Sequence, residues 1–169
     1  MISGTLGLAW FHDRLIILTI DAWRMPLKII EINTLEKTQM FAEQFIKALS
    51  PGICVACDGD LGAGKTTFVK FCAQALGVKE PIDSPTFNLL KTYEPPKLHH
   101  MDAYRLDGDA WDLEDALNDE TAYIFLEWAS HIPDSLPETT VYLKFSQADG
   151  IRHIEFNGNG VIREDIFND

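Results

Sequence analysis

Residues 59–66 have the types and the spacing that bind the phosphates of a nucleotide. In order they match the pattern G-x-x-x-x-G-K-[ST] in full, which is the phosphate-binding loop, or P-loop. Glycines in such a loop let successive backbone N–H groups turn inward, toward phosphate oxygens at the positive end of the following helix. We predict that the nucleotide is bound by Gly59, Asp60, Leu61, Gly62, Ala63, Gly64, Lys65, Thr66 and Thr67.

Three side chains at the end of this loop are expected to act on the phosphates and on a metal ion. The Lys65 ammonium group would reach the β- and γ-phosphates and so serve in catalysis, and Thr67 would donate to a phosphate. The Thr66 hydroxyl is the expected Mg²⁺ ligand. Mg²⁺ at such sites takes few protein oxygens and completes its shell with phosphate oxygens and water.

Two carboxylates stand where apolar strands are predicted to end. Asp102 ends the run 98–102, and Glu127 follows the longer apolar run 122–126. A P-loop site needs a carboxylate to hold or orient the metal ion and its waters, so we predict that both serve metal binding and catalysis. Glu127 would ligate Mg²⁺ or position the attacking water, and Asp102 would contact Mg²⁺ directly or through water. The sequence does not rank these roles.

The elements around the loop predict how these residues are brought together. An apolar run at 53–57 is typical of a buried strand, and residues 68–76 carry apolar side chains at helical spacing before Gly77. An earlier helix is predicted to start at Asn33, with Glu36 completing a capping pair. This alternation predicts an α/β fold of the P-loop NTPase class, with a mostly parallel central sheet flanked by helices. Runs 141–145 and 151–156 predict a C-terminal antiparallel hairpin.

Length and charge limit the class of protein. The chain has 169 residues and a formal net charge of −12, without a cluster of Lys or Arg. We therefore expect a single domain over residues 25–169 and no direct, high-affinity binding of nucleic acid. No apolar run is long enough to span a membrane. Residues 1–24 are interpreted as an N-terminal extension, with Met25 as the hypothesised native start, or alternatively as adding an edge strand at 15–20.

The cysteines and the paired histidines do not predict a second site. Cys54, Cys57 and Cys72 lie in apolar runs, which favours small buried residues in a reducing cytoplasm over a redox pair. His99 and His100 would point to opposite faces of a strand. We expect packing or hydrogen bonding from them and no metal binding.

Four blocks of residues follow one another along the chain: Gly59–Thr67, Ser84–Phe87, His100–Leu106 and Glu127–Trp128. Together they resemble the bacterial TsaE (YjeE) family. Their order and approximate spacing agree with that family, and the resemblance covers about residues 27–157. The segment before the last block is shorter than usual in the family, and a glycine common there is absent.

The resemblance implies an ATPase, with ATP and Mg²⁺ as cofactors, that is required for making threonylcarbamoyladenosine (t6A) at position 37 of tRNAs that read ANN codons. It implies a nucleotide-driven switch acting on the TsaB–TsaD complex, while TsaC supplies the threonylcarbamoyl-adenylate. By position, Ser84, Pro85 and Thr86 would form a switch-like loop near the γ-phosphate. Trp128 would lie nearby, and Thr38 would touch the nucleotide.

Three other functions compete with this one. A small-molecule P-loop kinase usually closes an arginine-bearing lid over the transferred phosphoryl group, and only Arg152 and Arg163 follow Arg105 here. A GTPase would carry an Asn/Thr-Lys-x-Asp base-reading motif, which the sequence lacks. The third alternative is a non-catalytic, nucleotide-gated binding module, which the sequence hardly distinguishes from a slow ATPase. Weak turnover by the isolated chain is expected, because no arginine is clearly placed as an internal finger and Arg105 is only a candidate.

Overall fold

The computed structural model describes residues 6–11, 14–19, 28–106 and 110–162. Strands β1 (Leu6–Phe11) and β2 (Arg14–Thr19) pair antiparallel in a two-stranded sheet of their own. The suggested edge strand at 15–20 therefore corresponds to β2, whose partner is β1, and residue 20 lies outside the described residues. That residues 1–24 are a non-native extension stays a prediction.

A seven-stranded mixed sheet forms the body of the fold. Its spatial order is β3-β9-β8-β4-β7-β6-β5. The four central strands, β8, β4, β7 and β6, run parallel, and the pairs β3·β9, β8·β9 and β5·β6 are antiparallel. The strands are β3 (Lys28–Glu31), β4 (Cys54–Gly59), β5 (Leu90–Tyr93), β6 (Leu98–Asp102), β7 (Tyr123–Glu127), β8 (Val141–Ala148) and β9 (Ile151–Asn157).

Parallel strands place the residues at their carboxyl ends along one edge of a sheet. β6 ends at Asp102, β7 at Glu127 and β4 at Gly59, and β7 pairs with both of the other strands. Asp102 pairs in register with Glu127, and Glu127 with Cys57. The two predicted acids and the P-loop therefore leave the sheet side by side.

Two longer helices, α1 (Leu35–Ala48) and α2 (Lys65–Leu76), pack on one face of this sheet. The start of α1 differs from the sequence prediction, since the capping residue is Thr34 and not Asn33. Thr34 has an extended backbone and its Oγ1 accepts a hydrogen bond from Lys37 N at 3.2 Å. α3 (Glu114–Leu117) and three 3-10 turns follow. The turns are Trp111–Leu113, Ala129–His131 and Pro133–Ser135.

The core has two layers, one on each face of the sheet. Alternate residues of β4 point to opposite sides, so Val55 and Cys57 join the cluster under α1 and α2, and Cys54 and Ala56 join the other. Phenylalanine rings fill the helix side, with Phe68 of α2 in contact with three other rings. These contacts are Phe41–Phe68, Phe45–Phe68 and Phe68–Phe145, with centroids 5.4, 5.5 and 5.7 Å apart. This packing fixes α2, and with it the P-loop, against the sheet.

The predicted α/β class is confirmed, with one central sheet and helices against it. Among the described residues, no helix combines the length and the apolar character needed to cross a membrane.

Candidate functional site

The loop 60–64 connects the end of β4 to the first turn of α2. Gly59, where the loop begins, has φ of 133°, and a Cβ atom there would lie 2.1 Å from the Phe145 carbonyl oxygen. A side chain is thus excluded both by the backbone conformation and by the neighbouring strand. Gly64 precedes the helix with φ of 113°. The glycines let the loop turn tightly from the sheet edge into α2, whose free N–H groups face outward.

An open cleft of about 240 Å³ lies over this loop. We call it the phosphate cleft. It brings together residues from four predicted parts of the site: the P-loop, the switch-like loop and the two strand-end acids. Its lining residues are Leu61, Gly62, Gly64, Lys65, Thr66, Thr67, Ser84, Thr86, Asp102, Glu127 and Trp128.

Glu127 is tied directly to the P-loop. Thr66 Oγ1 lies 2.8 Å from Glu127 Oε1 and 3.0 Å from Oε2, so the hydroxyl donates to the carboxylate. The Glu127 residue is only 3% exposed, and a buried carboxylate needs such donors. A second donor is His100, whose Nε2 lies 2.8 Å from Oε1. The expected metal-ligating hydroxyl and acid are therefore neighbours.

Asp102 is tied to the switch-like loop. Its Oδ2 accepts hydrogen bonds from Thr86 Oγ1 at 2.5 Å and from Ser84 Oγ at 3.3 Å, and the two hydroxyls are 2.7 Å apart. Its Oδ1 accepts from Tyr104 N at 2.8 Å. Asp102 thus fixes the loop that contains both hydroxyls against the end of β6.

Lys65 lies across the mouth of the loop. Its Nζ donates to the carbonyl oxygens of Gly59 and Asp60 at 2.6 and 3.0 Å, and sits 4.0 Å from the centroid of the Trp128 ring. The residue is 5% exposed. Carbonyl dipoles and an aromatic face thus stabilise the ammonium group there. These three partners are neutral, so the ammonium group could exchange them for an anion in the phosphate cleft.

The position of Trp128 is set by the turn that follows β7. Trp128 has a left-handed backbone, and its N–H donates to Cys57 O at 2.9 Å. In the same turn Ser130 donates its N–H and its hydroxyl to Asp58, both at 2.9 Å. Burial raises the pKa of Asp58 from its ordinary value, an effect opposed by the Ser130 hydrogen bonds. The Trp128 ring also contacts the rings of Tyr104 and His131.

The three cysteines are free and buried. Burial raises the pKa of the Cys54 thiol to about 12 and raises the pKa of Cys57 and Cys72 well above the usual range. Thiols held in the neutral form are poor nucleophiles. The cysteines are therefore packing residues, as their positions in apolar runs predict.

Most, but not all, of the sequence-predicted site residues line the phosphate cleft. Gly59 and Asp60 accept hydrogen bonds from Lys65 through their carbonyl groups, and Ala63 and Pro85 are not among the lining residues. Thr38 is different: it is buried within α1, its hydroxyl donates to Thr34 O at 3.0 Å, and it is not among the lining residues. Its contact with the nucleotide stays a prediction.

His100 is the site residue that sequence reasoning missed. The expected hydrogen-bonding roles of the two histidines are confirmed, since His99 pairs with Thr92 and Asp119 away from the phosphate cleft. What the sequence analysis did not identify is that His100 bonds to Glu127. The signal was available in the strand alternation, because His100 stands two residues before Asp102 and so shares its face of β6.

The oxygen atoms in the phosphate cleft fit a magnesium ion. Thr66, Asp102 and Glu127 offer a hydroxyl and two carboxylates around one space, and Mg²⁺ prefers hard oxygen ligands with few of them from protein. Within the described part of the chain, no group of three or more His, Cys, Asp or Glu is arranged to hold a metal ion. Such a magnesium site would take only a few ligands from these three residues and the rest from phosphate oxygens and water.

Comparisons with known proteins lead to one family. The model of the family described as threonylcarbamoyl adenosine biosynthesis protein TsaE matches residues 32–154. A tRNA threonylcarbamoyladenosine biosynthesis protein TsaE from Bacillus subtilis is 36% identical over 129 residues, 74% of this chain and 82% of its own. The protein of that name from Treponema pallidum is 41% identical over 114 residues, which cover 64% of this chain and 84% of the relative. The crystal structure of Bacillus subtilis YdiB has a TM-score of 0.67 at 29% identity, covering 79% of this chain and 86% of that chain.

Proposed function

Because the chain belongs to the TsaE family, we propose that it binds ATP with Mg²⁺ and hydrolyses it. The geometry of the phosphate cleft supports this proposal. The observation that carries the proposal is the hydrogen bond between Thr66 and Glu127, which are 61 residues apart. A P-loop hydroxyl that meets a strand-end carboxylate is the arrangement that holds Mg²⁺ on the β- and γ-phosphates.

Each residue of the phosphate cleft has a task in this proposal. The Lys65 ammonium group would leave the Gly59 and Asp60 carbonyls and bind phosphate oxygens, where its charge stabilises the charge that develops during transfer. The Thr66 hydroxyl and the two acids would hold Mg²⁺, directly or through water. When bound, Mg²⁺ neutralises charge on the phosphates. Glu127 would also orient an attacking water beside the γ-phosphate.

The loop that contains Ser84, Pro85 and Thr86 would report the state of the nucleotide. Its hydroxyls bind Asp102, so any change in what Asp102 contacts changes the contacts of the loop. In nucleotide switches, a segment is typically ordered by contacts that depend on the γ-phosphate and its Mg²⁺, and it is released when these contacts are lost. We assign the switch-like role to this loop on that ground.

We further propose that the switch acts on the TsaB–TsaD complex in the cytoplasm during formation of t6A in tRNA. Family membership supports this step, since the relatives are described as tRNA threonylcarbamoyladenosine biosynthesis proteins. The net charge of −12 favours action through a protein complex over a direct, tight grip on tRNA. An ATPase that depends on a partner also accounts for the absence of arginine from the described lining of the phosphate cleft.

Two alternatives make different chemical predictions. A small-molecule kinase would transfer the γ-phosphoryl group to a metabolite hydroxyl, whereas the proposed ATPase transfers it to water. A non-catalytic module would bind ATP and the partner without turnover. Among the described residues, those that line the phosphate cleft include no arginine, which favours hydrolysis with a partner over a kinase with its own lid.

The first prediction concerns Lys65. Lys65→Ala removes the charge expected on the β- and γ-phosphates, so ATP turnover measured with purified TsaB–TsaD should fall by about 10²-fold or more. Lys70→Ala is the matched control, because Lys70 is an exposed residue of the same helix. Phosphate release is measured for the wild type and both variants, with and without the complex. Turnover in Lys65→Ala equal to that of the wild type would contradict the site assignment, and phosphorylation of a metabolite would favour the kinase.

A further inference from the structure

His100 lies behind the proposed catalytic acid, on the neighbouring parallel strand. The ring is fully buried, and its Nε2 is 2.8 Å from Glu127 Oε1. An ionised carboxylate can only accept a hydrogen bond, so Nε2 carries the hydrogen and donates it. Glu127 therefore has two donors from opposite parts of the fold, Thr66 from the P-loop and His100 from β6.

The two nitrogens of the His100 ring differ in their hydrogen bonding. His100 Nδ1 is buried and has no hydrogen-bond partner among the described residues. By contrast, His99 on the same strand uses both nitrogens, with Thr92 and Asp119 as partners. A buried polar atom without a partner costs stability. Among the described residues, the hydrogen bond that the His100 ring makes is therefore the one to Glu127.

We propose that His100 is a positioning residue that holds the Glu127 carboxylate in its catalytic orientation. The inference rests on the proposed function, since it assigns a task to a residue behind the acid of that site. Glu127 needs a donor besides Thr66 to stay in one orientation. The Thr66 hydroxyl is also the expected metal ligand, so its bond to Glu127 must adjust when a metal ion binds. The His100 bond comes from a buried strand and is independent of that adjustment, and donors behind a ligating group typically orient it.

The test compares substitutions that remove or keep the donor. His100→Leu removes it, and the kcat for ATP hydrolysis with TsaB–TsaD should fall by about 10- to 100-fold, the usual effect of losing such a partner. The KM for ATP should rise by at most about 10-fold, because the phosphate contacts of the P-loop are intact and only the part of the affinity that Mg²⁺ brings is weakened. His100→Gln places an amide N–H near the position of Nε2 and should restore most of the activity. His99→Leu is the control, since it removes a histidine of the same strand outside the phosphate cleft.

A second readout needs no turnover. The affinity for ADP is measured by calorimetry with and without Mg²⁺, and the gain that Mg²⁺ brings should fall by about 10-fold in His100→Leu and be kept in His100→Gln. ADP affinity without Mg²⁺ should be unchanged in both. An unchanged Mg²⁺ gain in His100→Leu, or an equal loss in the Leu and Gln variants, would overturn the positioning role.

The outcomes also distinguish this inference from the proposed function. If the wild type binds Mg²⁺ and ADP but never hydrolyses ATP with the complex, the ATPase proposal fails, while the Mg²⁺ gain still tests His100. If the wild type hydrolyses ATP and His100→Leu does so equally well, the positioning role alone fails. Should His100→Leu not fold, as shown by its thermal unfolding, His100→Asn replaces it. The shorter Asn amide cannot reach Glu127, and kcat equal to that of the Gln variant would overturn the inference.

Discussion

Glu127 is the residue on which the proposed chemistry depends most. It is almost completely buried, yet it opens onto the phosphate cleft and accepts hydrogen bonds from Thr66 and His100. Asp102 at the neighbouring strand end accepts its bonds from the backbone of Tyr104 and from the switch-like loop. The two acids thus have different partners, which suggests a division of tasks. Glu127 would serve the P-loop and its metal ion, and Asp102 would couple the site to the loop.

Substitution of Glu127 tests this division. We predict that Glu127→Ala leaves nucleotide binding without Mg²⁺ largely intact, because the loop and Lys65 hold the phosphates, while hydrolysis falls by about 10²-fold or more with the loss of the acid. ADP affinity and phosphate release with TsaB–TsaD are the two measurements. Glu120→Ala, at an exposed residue shortly before β7, is the control. Hydrolysis at the wild-type rate in Glu127→Ala would move the catalytic role to Asp102.

Helix α1 shows how an element is started by one side chain. The Thr34 hydroxyl accepts from the third backbone N–H of the helix, and Asn33, one residue earlier, is not the cap. Asn and Thr are both good capping residues, so composition alone does not decide between them. The residue with the extended backbone and an oxygen in reach of Lys37 N takes the role. α1 matters to the site indirectly, through the Phe41 and Phe45 contacts with Phe68 of α2.

Replacement of this cap gives a prediction at the scale of the element. Thr34→Ala should lower the free energy of unfolding by about 1 kcal/mol, because the Lys37 N–H loses its acceptor. Urea unfolding followed by circular dichroism measures the change. Asn33→Ala is the matched control and should change stability by less than about 0.5 kcal/mol. A larger loss for Asn33→Ala than for Thr34→Ala would show that the helix starts where the sequence pattern suggested.

The stability of the whole fold is expected to depend on pH through the carboxyl group of Asp119. Asp119 accepts from Lys97 Nζ at 2.7 Å, from Thr121 and from His99. The Lys97 hydrogen bond, followed by those of Thr121, lowers the pKa of Asp119 well below its ordinary value. A carboxyl with a lowered folded-state pKa stabilises the protein above its unfolded pKa of about 3.9, and this contribution is lost as the pH falls toward the folded-state value.

Asp119→Asn should therefore destabilise the protein at neutral pH and much less in acid. We expect the difference in unfolding free energy between wild type and variant to be largest near about pH 7 and to shrink steadily below about pH 4. Urea unfolding at several pH values measures it. Asp112→Asn, at an exposed position, serves as the control. A difference that stays constant from neutral to acid pH would contradict the proposed ion pairing.

Local patterns in the sequence were sufficient for the glycine-rich loop between β4 and α2, for the helix that follows it and for the α/β class. The reason is physical: a glycine-rich turn, a buried apolar strand and a helical repeat are each specified by residues close together in the chain. The approach of Asp102 and Glu127 to this loop was also predictable, because parallel strands end at one edge of a sheet. The same patterns did not decide between Asn33 and Thr34 as the helix cap.

Only the tertiary structure decided which atoms meet inside the phosphate cleft. The bonds of Glu127 to Thr66 and to His100 join residues 61 and 27 positions apart, and such pairs depend on strand order and register. The order β4-β7-β6 places β7 between the P-loop strand and the strand that carries His100 and Asp102. A different order of the same strands would keep every local motif and separate the acid from its donors, so this contact is a property of the folded sheet.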